Sequence, residues 1–252
     1  MRALVFALVL ALVVPGCFGG SSITEPSTNG DAGRTSWHID DGLCDGGLIG
    51  GECDLDQHLA VGATPTIAVT ARNGTDLSHA HLAGGANVVI ENASSSTDDH
   101  GAVTMTATVR GMAAGVGDIV VADVFGNEID RAHVTFVTAA ALTCGLLGST
   151  VTRDLSFHAL SSEPVTMVAG GSTTLACRAT DAAGNPLLTV DAITWTVVPG
   201  GSADVSIQDD ELFSWLGPVN GGTVRATASG SGTATVHAAL GAISGDVVLN
   251  VR

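Results

Sequence analysis

Met167-Val168-Ala169-Gly170-Gly171-Ser172-Thr173-Thr174-Leu175-Ala176-Cys177-Arg178-Ala179 is the stretch that decides the fold. An apolar start, a Gly pair and a Thr-rich alternation read as a short strand, a tight turn and a second, half-buried strand. The same pattern stands in Leu59-Ala60-Val61-Gly62-Ala63-Thr64-Pro65-Thr66-Ile67-Ala68-Val69-Thr70-Ala71, 108 residues earlier. Two more blocks follow in the same order. Ala86 to Ile90 aligns with Ala203 to Ile207 at an offset of 117, and Gly115 to Val121 with Gly230 to Val236 at 115. Collinear copies with a period of about 100 residues are too long for solenoid units and fit a β-sandwich of about seven strands.

Composition agrees with that reading. The chain has 252 residues and 33 Gly, only 4% aromatic and 13% charged residues, a mixture suited to short strands and many tight turns. All nine basic residues are Arg; there is no Lys and no Tyr. The missing Lys removes Schiff-base lysine chemistry, the phosphate-loop lysine and Ser-x-x-Lys acylation. With 25 acidic residues and a formal charge of -16, the chain offers no electrostatic footprint for nucleic acid.

Strand signals are clearest in the second copy: Thr173 to Ala179, Ala192 to Val198, Thr223 to Ala228, Thr233 to Ala238 and Asp246 to Val251. Each alternates or runs β-branched between Gly, Asn, Pro or Asp. Asp181-Ala182-Ala183-Gly184-Asn185-Pro186 reads as a turn. Beyond the N-terminal segment no capped 3.6-residue apolar period appears, so few helices are expected.

The runs VTMVAGGSTTLACRATDAAGNPL (165–187), AITWTVV (192–198) and GSGTATVHAALGAISGDVVLNV (230–251) together resemble the bacterial Ig-like modules of the BIG superfamily, BIG2-type. The resemblance covers Pro164 to Arg252 well and Leu59 to Val137 more weakly. It implies an all-β fold of two tandem Ig-like sandwiches, at 37–138 and 139–252, serving as adhesion or spacer units. Trp195 falls where Ig-like domains place a core Trp, with Cys177 on the preceding strand beneath it. Thr233 to Leu240 carries no Cys, so the antibody-type bond between the sheets is absent. The first copy lacks the Trp, and its core is expected to rest on Val, Ile and Met alone.

Met1-Arg2 and the twelve-residue apolar run Ala3 to Val14 read as a signal-peptide core, since a membrane span needs about 20 residues. Val14-Pro15-Gly16-Cys17 resembles the lipobox of bacterial lipoproteins, which implies a signal peptide over 1–16 and acylation of Cys17. Phe18, in place of Asp after that Cys, points to an outer-membrane address. Residues 17–36, rich in Gly, Ser, Thr and Pro, read as lipid anchor and flexible tether.

Removing Cys17 leaves four cysteines, Cys44, Cys53, Cys144 and Cys177, an even number that reads as two disulfides in an exported chain. Three pairings exist; Cys44–Cys53 with Cys144–Cys177 keeps each bond inside one copy. Spacings of 8, 90 and 32 intervening residues lack the close pair of a zinc knuckle.

No motif assigns catalysis or a resident metal or cofactor. The acidic residues Asp40, Asp41, Asp45, Glu52, Asp54 and Asp56, with the smaller runs Asp98-Asp99 and Asp209-Asp210-Glu211, do not have calcium-loop spacing and read as a solvated surface. His79 and His81 share a face if extended, without a third ligand at an obvious spacing. Phe213 and Trp215, two aromatics at i and i+2, form a candidate platform for sugar or protein.

The expectation is therefore an anchor, a tether and two β-sandwiches: a non-enzymatic envelope lipoprotein, membrane-bound through its lipid, with a protein or glycan partner. An envelope glycan-acting enzyme or accessory subunit with a site between the two domains is the alternative. Substituting Cys17→Ser is expected to move the protein from the membrane to the soluble fraction and to remove the acyl mass from its N-terminal peptide.

Overall fold

The computed structural model describes residues 27–40, 54–147, 163–209 and 222–252. All regular elements among them are strands. Four sheets pair off around two apolar clusters, giving two sandwiches in tandem.

In the first half, β1 (Thr28–Asn29), β2 (Thr35–Ile39), β4 (Thr66–Ala71), β7 (Val103–Gly111) and β6 (Val88–Thr97) form one sheet in the order β1-β2-β4-β7-β6. The facing sheet runs β3-β9-β8-β5, from β3 (His58–Ala60), β9 (Glu128–Val137), β8 (Gly115–Ala122) and β5 (His81–Gly84). The second half repeats this plan. One sheet is β10 (Ala141–Leu146), β12 (Ser172–Thr180), β16 (Thr223–Ala228) and β15 (Val205–Asp209), with β13 (Pro186–Leu187) on β12. The other is β11 (Val165–Met167), β18 (Ile243–Val251), β17 (Gly232–Leu240) and β14 (Thr194–Val197). Four antiparallel strands in the order first-second-fifth-fourth, facing third, sixth and seventh, are the immunoglobulin constant-type arrangement. In both halves a short strand, β3 or β11, also runs parallel to the last one. The chain is an all-β protein of two Ig-like sandwiches.

The alternation expected of the second copy is present: β16 coincides with Thr223–Ala228, and β12, β17 and β18 contain three of the other runs, while the run Ala192 to Val198 is reduced to Thr194–Val197 in β14. One alignment needs correction. Gly115 and Gly232 share φ +135, and Ile119 and Val236 are both fully buried, so the third block pairs at 117, not 115. The Gly-x-Gly repetition allowed a slip of two residues, which leaves inward and outward faces unchanged.

The two cores fill the same geometry differently. Phe136 on β9 is buried against Gly111 and Gly117, where any Cβ would collide with its ring or with Val88. At the corresponding places the second sandwich has Val251 between Ala228 and Ala234. A large side chain with two glycines is exchanged for a medium one with two alanines, which conserves packed volume. The first core also contains Trp37, fully buried on β2, so it does not rest on Val, Ile and Met alone. The aromatic bulk expected on the third strand arrives from the first. Trp195 lies on β14, half-buried against the second core.

Trp37 also corrects the extent of the tether. Thr28 to Ser36, assigned by composition to the flexible segment, make β1 and a turn fastened by one buried carboxylate. Asp130, 1% exposed, accepts the N–H groups of Ala32, Arg34 and Thr35 and the Thr35 hydroxyl, each at 2.8 Å, and that of Arg131 at 2.9 Å. Thr35 Oγ1 in turn accepts the Trp37 indole N–H at 2.6 Å. Gly30 lies so close to this carboxylate that a Cβ would occupy its space.

Cys144 and Cys177 face each other across β10 and β12 and are joined by a disulfide, as one of the expected pairings has it. Closing a loop of that separation, 33 residues, constrains the unfolded chain by about 3–4 kcal/mol in the chain-entropy account. Cys17, Cys44 and Cys53 lie outside the described residues.

The sandwiches meet through backbone as well as side chains. Ala60 donates to the Leu188 carbonyl at 2.8 Å, Leu188 to that of His58 at 2.9 Å and Thr64 to that of Val190 at 3.0 Å, making a parallel bridge of Leu59 to Leu188. Leu188 is buried in the first core although it follows β13, and Ala60 is buried in the second.

Two outcomes follow from these contacts. Asp130→Asn keeps the shape but replaces an acceptor oxygen by a donor, and is expected to cost about 3 kcal/mol in denaturant melts. Burial alone would raise the Asp130 pKa, but its hydrogen bonds outweigh that and hold it below the usual aspartate range. Its contribution is therefore complete above the unfolded-state value of about 3.9 and is lost as pH falls through the lower folded value. The variant should accordingly lose less stability than the parent on acidification below about pH 4. Leu188→Ala is expected to destabilise by about 2–5 kcal/mol and to speed amide exchange in β4 and β8. Unchanged exchange in those strands would show that the two cores are not coupled.

Candidate binding surface

Strand register places four turns at the end of the first sandwich away from the second. Thr35 is opposite Ala71, Thr70 opposite Thr104, Thr97 opposite Val103, and Ala122 is paired with both His81 and Glu128. The turns 30–34, 72–80, 98–102 and 123–127 thus share one end. Asp130 and the bond from Asp31 N–H to the Arg131 carbonyl bind the two sheets there.

The 123–127 turn is built by its first residue. Asp123 accepts the N–H groups of Phe125 and Asn127 through Oδ1 and the Asn127 side-chain amide through Oδ2, at 2.8–2.9 Å. Gly126 takes φ +81 to close the loop. The Asn127 side chain first, then its backbone N–H, holds the Asp123 carboxyl below its ordinary value. The turn of Asp181 to Asn185 has the same bonds and a positive φ at Gly184. Asp98 does the same work toward His100 and Ala102. Asp98 and Asp181 thus act as turn-forming acceptors.

At the apex of this rigid turn Phe125 is 86% exposed and Val124 63%. A large apolar side chain held outward on a fixed backbone has no partner within the described residues. It loses little conformational freedom when covered, and contact surfaces favour that property. Sequence reading missed it, although the signal was available: Asp123-Val124-Phe125-Gly126-Asn127 repeats the D-x-x-G-N pattern of Asp181 to Asn185, with apolar residues at the two apex positions.

The side of this end is charged. His133 lies with Nδ1 2.9 Å from Asp118 Oδ1 and Nε2 3.1 Å from Asp31 Oδ2. Arg131 donates to Asp118 at 3.1 Å and to Glu128 at 2.6 Å. The pairs of His133 with Asp31 and of Arg131 with Glu128 are exposed and of small individual worth, while Asp118, between Arg131 and His133, is half-buried.

His79 and His81 are both exposed beside this end. Among the described residues no group of three or more His, Cys, Asp or Glu side chains is placed to hold a metal ion. Phe213 and Trp215 lie outside the described residues, as do Asp41, Asp45 and Glu52. A shallow groove of about 410 Å³ on the outer face of β2, β4 and β7 is lined by Ser36, His38, Asp40, Thr70 and Thr104, with one carboxylate among them.

No family model matches the chain, and no curated protein matches it. Among solved structures, the adhesin InvE of Yersinia pseudotuberculosis is similar at 16% identity, over 78% of this chain and 56% of that one, with a TM-score of 0.34. Invasin, a bacterial integrin-binding protein, is similar at 15% identity over 77% and 38%, TM-score 0.29. SGBP-B of the Bacteroides ovatus mixed-linkage glucan utilization locus, solved with a mixed-linkage heptasaccharide, is similar at 13% over 83% and 46%, TM-score 0.31. The chain thus spans about half or less of the length of these structures. The Ig-like assignment rests on the strand order of the two sandwiches themselves.

Proposed function

We propose that this chain is a non-enzymatic, BIG2-like cell-envelope lipoprotein, held through a lipid on Cys17 at the outer membrane. Its two sandwiches form a spacer and a binding module for a protein or glycan partner of the envelope. The observation that carries this reading is Phe125, 86% exposed at the apex of a turn fixed by Asp123 and Asn127. The backbone bridge at Leu59 and Leu188 supports it, because it holds the module on a stiff base.

The glycan-hydrolase alternative needs two carboxylates about 5–10 Å apart across a bound sugar. The groove beside His38 has Asp40 alone, and the cleft between β5 and β6 has no carboxylate. Domain boundaries at 37–138 and 139–252 belong to the same proposal, with the first unit extended to Thr28 by β1.

Cross-linking of the lipidated protein in its native envelope, followed by capture and mass spectrometry, tests the reading. Phe125→Ser is expected to reduce the captured partner about tenfold, a loss of about 1.4 kcal/mol, with the melting temperature unchanged. Equal capture by the variant would remove the loop end from the proposal.

A further inference from the structure

A second surface lies along the side of the first sandwich, reaches the 98–102 turn and does not involve Phe125 or its turn, 123–127. β6 is ten residues long and, among the described residues, is the last strand of its sheet, paired on one side with β7 only. Between Glu91 and Ser94 the register shifts, and Asn92 takes φ +50, so a bulge divides the strand. The first half contributes Val88 and Ile90 to the core cluster. The second half, Ala93 to Thr97, is exposed throughout, because β5 in the facing sheet has only four residues.

The free hydrogen-bonding groups of this half can be located. Asp98 gives its N–H to the Ala102 carbonyl, toward β7. By the alternation of an antiparallel ladder, Ser94 and Ser96 also bond toward β7, and Ser95 and Thr97 present N–H and C=O to the free edge. Natural edge strands are commonly blunted by Lys, by Pro, by inward charges or by a bulge. The bulge at Asn92 ends the protected part of β6, and Ala93-Ser94-Ser95-Ser96-Thr97 beyond it has no Lys, Pro or charge. Beside it a cleft of about 160 Å³ opens between β5 and β6, with Ala80, Leu82, Ala93 and Met105 as apolar lining and Ser94 and Ser95 at its wall. That volume is below the roughly 300 Å³ of a small-molecule pocket and suits one small branched side chain.

We propose that the free edge of β6, with the β5–β6 cleft, receives an extended segment of a partner protein. The segment adds to the sheet as a further strand, places a small apolar side chain in the cleft and carries basic residues at its ends. Charge selects this occupant over a second copy of the chain. Antiparallel pairing of two copies about Ser95 would set Glu91, itself paired with Arg110 at 2.6 Å, opposite Asp99 and Asn92 opposite Asp98, twice, between molecules of formal charge -16 each. Like charges directly opposite across strands are destabilising. A strand with Arg at both ends meets Asp98 and Asp99 at one side and, at the other, Glu91, which it shares with Arg110 at 2.6 Å.

The test uses the full chain and three synthetic nine-residue peptides. The first is Arg-Thr-Val-Thr-Val-Thr-Val-Thr-Arg; the second has Glu at both ends, and the third has Pro at its centre. Fluorescence anisotropy is expected to show saturable binding of the first peptide with a Kd of about 1–100 μM, at least tenfold weaker for the other two. Hydrogen exchange should show protection of the Ser95 and Thr97 amides on binding. Ser95→Pro removes an edge N–H without taking a bond from the β6–β7 ladder, and should abolish binding at unchanged melting temperature. Ala93→Trp, filling the cleft from an exposed position, provides the same reading should the Pro variant fail to fold. Three results would overturn the proposal: no saturation by the Arg-flanked peptide, equal binding of the Glu-flanked one, or protection away from 93–97. Concentration-dependent dimerisation abolished by Ser95→Pro would also overturn it, by assigning the edge to a second copy.

Discussion

Five hydrogen-bond donors converge on the buried carboxylate of Asp130, and the closed end of the first sandwich depends on them. A charged group out of water is tolerated only when its lone pairs are filled. The 30–35 turn fills them with three backbone N–H groups and a hydroxyl, and is itself ordered by doing so. From that turn β2 departs with Trp37 aimed inward, its indole N–H satisfied by the hydroxyl that also serves Asp130. The largest side chain of the core, the ordering of the turn before β2 and the junction of the two sheets thus share one electrostatic cause.

The second sandwich reaches the same topology by other means. Its first strand is fastened by the Cys144–Cys177 bond, and its core exchanges Phe136 with Gly111 and Gly117 for Val251 with Ala228 and Ala234. Ig-like topology requires filled volume between two alternating faces, not particular residues, so two divergent copies can satisfy it. The junction departs from the image of independent beads. Leu188 is a core residue of the sandwich it does not belong to in sequence, and the hydrogen bonds beside it continue the edge of one sheet into the other half.

Turn chemistry links fold to surface. The same Asp-led turn follows β12 in one copy and joins β8 to β9 in the other, places that do not correspond in the fold. Only in the second of these do large apolar side chains, Val124 and Phe125 in place of Ala182 and Ala183, occupy the apex. A device that closes loops at little conformational cost therefore also presents Phe125 at a defined position.

Fold class was legible in the sequence because period-two alternation, turn residues and the ~100-residue repeat are local signals, as are Cys spacing and the Asp181 to Asn185 turn. The short pairing slip at Gly115 arose where Gly repeats every second residue and alternation alone sets no register. Composition made residues 28–36 resemble a tether, since small polar residues read the same whether solvated or spent on a distant carboxylate. Asp130, Thr35 and Trp37 come together only through contacts 95 residues apart, and Leu188 enters the first core only because two sheets abut. Exposure of Phe125 and the free edge of β6 depend equally on which strands end a sheet and which turn ends a hairpin. Local periodicity determined that the chain forms two β-sandwiches; long-range pairing of strands, which no local pattern encodes, decided which of their surfaces remain open.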